Sequence, residues 1–485
     1  MVRTFLCDLT RGRQPGQTPV IEAVEGASMR VVLLPGVLAG AVAVLLVGQA
    51  LVRPNLSLIG AAAFSAQRIT PNADGRDDVA IFEYSLSRNA RVSLQFEGED
   101  GSLYYFRKDE PRPHGDYQVA FGGVVDGWVR PDETLTVDVL RRLLPDGDYT
   151  WRLLAAERDG DEKDERSGVL TIEDADSPLP VISTFSVWPD VFTPNQDGIS
   201  DRTEINVYLE KGAQLKVWLL GNDGQRIYVA PRKEGRKPGE AGRHIFDYEG
   251  GVDLGADPPP DGSYEIVARA VDDEGQVVEQ RAQLTIRNGG KPLAEIVPQS
   301  IGVDVAFAVQ PWDHRYVTSV ARPGALLDVP DNVQDNRLTA LTLQIREEML
   351  VFRLTVENYS EVPLRTTGPP PGTVYQQDQR AATLNAFDES GAWRVGIDCT
   401  TAETDYPWRW ALGTDSDLYE EFDPDSGNTY SFLPPGDQVV VWGGIRFNHI
   451  EDRNPQNCWA GLIHEDVEVS IRNRNVGSRE IELVE

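Results

Sequence analysis

Two short loops gather hard oxygen donors in a repeated pattern. Thr70-Pro-Asn-Ala-Asp-Gly-Arg-Asp-Asp78 and Thr193-Pro-Asn-Gln-Asp-Gly-Ile-Ser-Asp201 share an Asn and two Asp at matching positions within seven residues: Asn72, Asp74 and Asp78 in one, Asn195, Asp197 and Asp201 in the other. Such oxygens suit Ca²⁺. Aligning Gly198 with the glycine of a helix-loop-helix calcium loop puts Glu204 at the bidentate position, whereas the same count in the first loop lands on Ile81. The competing reading is an Asx turn at a strand start, the side-chain oxygens accepting backbone N–H groups without a metal. Both stand open, and calcium is the one cofactor the sequence suggests.

Other chemistry is sparse. Trp408 and Trp410 alternate in Pro-Trp-Arg-Trp-Ala and would share one strand face, either a stacking platform for a sugar ring or part of a sandwich core. Cys399 and Cys458, given an oxidising compartment, would close a loop of about 60 residues as a disulfide; Cys7 lies far from both. His449-Ile-Glu451 and His464-Glu-Asp466 set acids beside imidazoles, but among 77 acidic residues such neighbours arise by chance. No GxSxG, HExxH or P-loop occurs, so no enzyme is expected. A hydrolase built on two carboxylates has no spacing signature and stays open as an alternative.

The elements that would carry these residues begin at a membrane. Val31 to Val52 runs 22 residues without a charge, enough to span a hydrocarbon core as one helix. Arg3, Arg11, Arg13 and Arg30 precede it, which favours a cytoplasmic tail over residues 1–30. A rival reading starts the chain at Met29 and cleaves a signal near Ala61-Ala-Ala63. Either exports everything beyond the linker at 53–65. Residues 1–53 hold five Arg and three acids, leaving 41 basic and 74 acidic residues in the exported part of a chain whose net charge is -31. That excess excludes a phosphate backbone as partner.

The exported part repeats itself. The two Thr-Pro-Asn-x-Asp-Gly loops stand in the same order as Pro145-Asp-Gly-Asp-Tyr149 and Pro260-Asp-Gly-Ser-Tyr264. Two landmarks at nearly constant separation predict a duplicated domain, 66–178 and 181–288. Period-two strands fill both: Val79–Leu86, Arg91–Phe96 and Tyr149–Leu154 in the first, Glu204–Leu209, Gln214–Leu219 and Tyr264–Ala270 in the second. Asp-Gly steps supply the turns. A third domain over 292–485 does not repeat the module, yet reads as strands at Leu338–Ile345, Met349–Asn358, Thr383–Phe387, Gln438–Trp442 and Val467–Ile471.

The opening motif, the Pro-Asp-Gly-x-Tyr turn and the strand end Ala270-Val-Asp-Asp-Glu-Gly275 together resemble the FlgD-type immunoglobulin-like domain, named for the flagellar hook-cap protein and repeated in exported bacterial surface proteins. The resemblance covers about residues 66–288; the first copy departs from it around Trp128–Leu144. It implies fold and export. In the third domain the Val-Glu-Asn-Tyr-Ser360 strand end and the Leu433-Pro-Pro-Gly-Asp437 turn resemble extracellular immunoglobulin-like sandwiches. The expectation is an all-β ectodomain of tandem Ig-like β-sandwiches behind one transmembrane helix: a cell-envelope structural or adhesive protein that binds other envelope or appendage proteins. A glycan bound by the Trp-rich third domain is the alternative partner.

Overall fold

The computed structural model describes residues 57–158, 160–232, 237–299, 302–330 and 340–485. Among these residues no helix is long and apolar enough to cross a membrane. The Val31–Val52 segment, the tail before it and residues 53–56 of the expected linker lie outside them.

In the first module the strand pattern alternates buried and exposed residues, so that Phe82, Tyr84 and Leu86 face inward from one strand and Val92, Leu94 and Phe96 from another. One sheet orders Ile59–Phe64, Ala80–Leu86 and Gly115–Phe121; its partner orders Arg68–Ile69, Lys163–Ile172, Gly147–Glu157, Ala90–Glu97 and Leu103–Arg112. Phe64, Phe82, Phe121 and Trp151 meet between them. The expected linker is shorter than the sequence suggests. Ile59–Phe64 pairs antiparallel with Ala80–Leu86 because Leu58 and Ile59 have a core to enter.

The second module repeats the plan, with Ile182–Trp188, Thr203–Leu209 and Gly242–Tyr248 on one side. Its other sheet has seven strands. Arg226–Val229, Gln214–Leu220, Gly262–Val271 and Val277–Ile286 belong to it by sequence, and Val191–Phe192 pairs beside them. The remaining two, Asp138–Leu143 and Val124–Asp126, are the insertion that breaks the pattern of the first copy. This hairpin leaves its own module and completes the next one: Val278 faces Val139 and Glu279 faces Asp138, while Val137 is buried in the second core with Leu135 packed on it. The domain boundary expected at 178–181 therefore does not separate the two structurally.

The third module buries one large core between two sheets. Five strands, among them Glu348–Asn358 and Gln438–Arg446, form one; nine, among them Trp393–Cys399, Gln456–His464 and Val476–Val484, form the other. Three strand pairs are parallel, including Leu341–Gln344 with Val476–Val484. Two expected strands fail there. Over Thr383–Phe387 the chain makes the end of a 3-10 helix, Ala381–Leu384, stopped by Asn385 at φ 67°; a short polar side chain tolerates that left-handed turn. Val467–Ile471 shrinks to Glu468–Val469 after the positive φ of Asp466. Leu338 and Thr339 lie outside the described residues, and the strand there starts at Leu341.

Substituting Val137→Asp puts a charge into the second core from a residue of the first module. The expected cost is about 2–4 kcal/mol, with faster amide exchange along Val277–Glu279 and unchanged protection of Ala80–Leu86. Unaltered exchange at Val277–Glu279 would show that the hairpin is not part of the second module.

Candidate functional site

Both acidic loops fold the same way. In the first, Asp78 accepts the N–H groups of Asn72 (3.2 Å) and Gly75 (2.7 Å), Asn72 Oδ1 accepts from Asp74 (3.1 Å) and Asp74 accepts from Arg76 (2.8 Å). In the second, Asp201 accepts from Asp197 (3.1 Å) and Gly198 (2.6 Å), Asn195 Oδ1 from Asp197 (3.1 Å) and Asp197 from Ile199 (2.8 Å). The oxygens that would face a cation are thus turned onto backbone donors. Glu204 sits out on its strand, donated to by Asn206 and 3.6 Å from Arg243, and does not converge on the loop. Among the described residues no group of three or more His, Cys, Asp or Glu side chains is placed to hold a metal ion. The donor set makes the Asx turn in both loops.

What separates the loops is their surroundings. The first is exposed, with Asn72 donating to Asp174 of the following linker at 3.1 Å. The second is pressed into the third module. A side chain at Gly198, itself at φ 80°, would strike the Ser390 carbonyl, and one at Gly391 would strike the backbone of Asp197. His464 Nε2 donates to the Gln196 carbonyl at 2.7 Å while its ring stacks on Trp393 at 4.3 Å. Arg365 donates to Ser390 and lies over the Tyr430 ring. Sequence reasoning set His464 aside as a chance neighbour of acids; its role depends on a residue 268 positions away and leaves no local signal.

The junction of the first two modules is tied as closely. Lys211 Nζ reaches the carboxylates of Asp176, Asp272 and Glu274, each at 2.9 Å. Gln276, buried, donates to the Pro178 carbonyl (2.9 Å) and accepts from the Leu143 N–H (3.2 Å), so one side chain holds both the linker and the crossing hairpin.

Within the third module Trp408 and Trp410 are only 3% and 0% exposed. They correct the expected sugar platform: Trp410 packs against Phe352 and Tyr375 and donates to the Thr373 carbonyl, so neither ring offers a face to solvent. Cys399 and Cys458 form a disulfide between directly facing residues of neighbouring strands, within one sheet and not across the sandwich. Glu465 is buried between Arg394 (3.1 Å) and Arg409 (2.6 Å), and Arg394 also donates to the Thr367 and Phe387 carbonyls. His449 and Glu451 meet at 2.7 Å on the surface.

No family model and no curated protein matches the chain. Solved structures that match include a tetra-tandem repeat in the extending region of a large adhesion protein, at 11% identity over 87% of this chain and 71% of that one, TM-score 0.16. Others are the fibronectin(III)-like modules of Clostridium thermocellum CbhA, at 13% identity over 47% and 93%, TM-score 0.16, and a 1.5-MDa bacterial ice-binding adhesin, at 9% over 88% and 96%, TM-score 0.16. At such scores these likenesses carry no argument, and the tandem sandwich rests on the strand pairing above.

Burial, with Asp201 adding repulsion, pushes the Asp197 carboxyl up to about 7, and burial pushes Asp201 up to about 6. Carboxyls of the unfolded chain titrate near ~4. The folded state holds these protons more tightly, so the stability they contribute is complete below about pH 4 and is lost as pH rises through about 6 and 7. His464 works the other way. Burial lowers it to about 4, and its contribution is present above about pH 6.5 and lost as pH falls toward about 4. Asp197→Asn, only 7% exposed in the parent, should raise the melting temperature near about pH 8 by the equivalent of up to roughly 4 kcal/mol and change little near about pH 4. A chelator should leave the parent midpoint unmoved. A calcium loop would give the opposite pair of results, a chelator-sensitive midpoint and a destabilising Asn.

The disulfide spans 59 positions. The double substitution Cys399→Ser with Cys458→Ser is expected to lower the third module's urea stability by about 4 kcal/mol; equal midpoints with and without reductant would contradict it.

Proposed function

We propose that this chain is a membrane-anchored structural and adhesive protein of a cell envelope, in which FlgD-type immunoglobulin-like modules hold the third module away from the membrane for contact with another envelope or appendage protein. The observation that carries the reading is the pair of tied junctions. An enzyme needs a preorganised site, whereas a spacer needs modules that do not swivel, and here the first linker is held by Gln276 and Lys211 while a loop of the second module is bonded to the third through Gln196 and His464. Inter-module contacts of this kind oppose the relative motion that is otherwise the default between domains. The uncharged run at Val31–Val52 supports anchoring, and the Cys399–Cys458 disulfide supports an oxidising, extracytoplasmic location. Binding through loops or sheet faces requires no bond chemistry.

Protease added outside intact cells tests the topology. Residues 57–485 should be digested, a fragment containing Val31–Val52 should stay with the membrane, and the mature N-terminus should lie upstream of Val31. A mature chain beginning near Phe64, or one wholly protected from the protease, would overturn the anchored arrangement.

A further inference from the structure

The two copies of the repeated module treat one position differently. In the first, the turn Gly98–Gly101, Tyr104, Phe121 and Tyr149 frame a hollow between the sheets, and Trp128 from the insertion fills it. Its ring lies 5.0 Å from that of Tyr104, and the guanidinium groups of Arg142 and Arg130 sit 4.4 Å and 5.9 Å from the indole. An aromatic ring flanked by arginines thus occupies the first module's hollow.

The second module has the same frame. Gly221–Gly224 repeats the turn, and Tyr264 donates its hydroxyl to Pro260 as Tyr149 does to Pro145. Tyr248 stands opposite Thr203 as Phe121 stands opposite Ala80. After the paired glycines, however, the chain takes a shorter path through Val252–Leu254 that has no tryptophan. Leu254 is left 89% exposed beside an open cleft of about 760 Å³, walled by Tyr228, Tyr248 and Tyr264.

The charge of this cleft points to what fills it, because its wall is acidic. Asp223 and Asp261 accept backbone N–H groups and Asp247 is held by Arg202, but Glu249 and Asp257 form no ion pair with the described residues. Their charges favour a cationic guest, as does the net -31 of the chain.

We propose that the cleft of the second module binds a segment of a partner protein that presents an aromatic side chain next to arginine, supplying in trans the group that Trp128 supplies in cis to the first module. This deepens the binding role proposed above by naming the partner's chemistry. The test uses the full chain and a fluorescein-labelled Gly-Arg-Trp-Arg-Gly peptide, read by anisotropy beside the Gly-Glu-Trp-Glu-Gly peptide. The arginine peptide should bind at about 0.05 M salt and weaken at about 0.5 M, and the glutamate peptide should not bind. Leu254→Trp, which fills the cleft from within, should weaken binding at least about tenfold, and Glu249→Gln with Asp257→Asn at least about fivefold. If Leu254→Trp lowers the melting temperature, the Glu249→Gln with Asp257→Asn variant carries the test: affinity should fall with the fold kept. No binding, equal binding of both peptides, indifference to these substitutions, or saturation by a neutral oligosaccharide instead would each overturn the proposal. Such a failure in a chain that still resides on the membrane with its modules outside would remove this inference and leave the envelope role standing.

Discussion

Backbone N–H and C=O groups at a sheet edge must find partners or water, and along Val277–Glu279 they find them in a strand of the preceding module. Much of the first half of the chain follows from that pairing. The insertion at Val124–Leu143 must be long enough to leave its own sandwich, which is why the first copy is longer than the second. Gln276 must be buried to receive the Leu143 N–H, and once buried it needs further partners, which the linker carbonyl at Pro178 and the Asp272 carboxylate provide. Lys211 then balances Asp176, Asp272 and Glu274 at the same place.

The fold was readable in the sequence wherever the constraint was local. Asn-x-Asp-Gly and Pro-Asp-Gly-x-Tyr mark residues that need a left-handed backbone or a side-chain acceptor two residues away, and both copies meet those needs with the same bonds. Period-two strands were equally plain. What stayed hidden depends on distant partners. The Trp128–Leu144 insertion was visible as a departure, yet nothing within it says that its hydrogen bonds go to residue 277 and beyond. Thr383–Phe387 has the composition of a strand and turns instead, because Asn385 closes a helical turn. Trp408 and Trp410 share a strand's alternation with any exposed platform; the opposing sheet, with Phe352, decides that they are core.

Charge placement follows the same division. Ion pairs with both partners exposed, such as Arg68–Glu173 and Arg91–Asp109, contribute little to stability, but the third module buries Glu465 between Arg394 and Arg409 with the arginine donors bonded to main-chain carbonyls as well. A buried charge survives only with that degree of satisfaction. At the neighbouring junction Asp197 and Asp201 have backbone donors without an equal counter-charge, and their carboxyls are correspondingly harder to ionise.

The crossing hairpin also decides how the first two modules answer tension. Between them the peptide chain runs through one linker, whose carbonyls are held by Lys211 and Gln276, while the ladder from Asp138–Leu143 to Val277–Glu279 spans the gap a second time. A pull along the chain is divided between these two routes, and neither module can be drawn away from the other until strands within a folded sheet are parted. Mechanically the duplicated modules are one body.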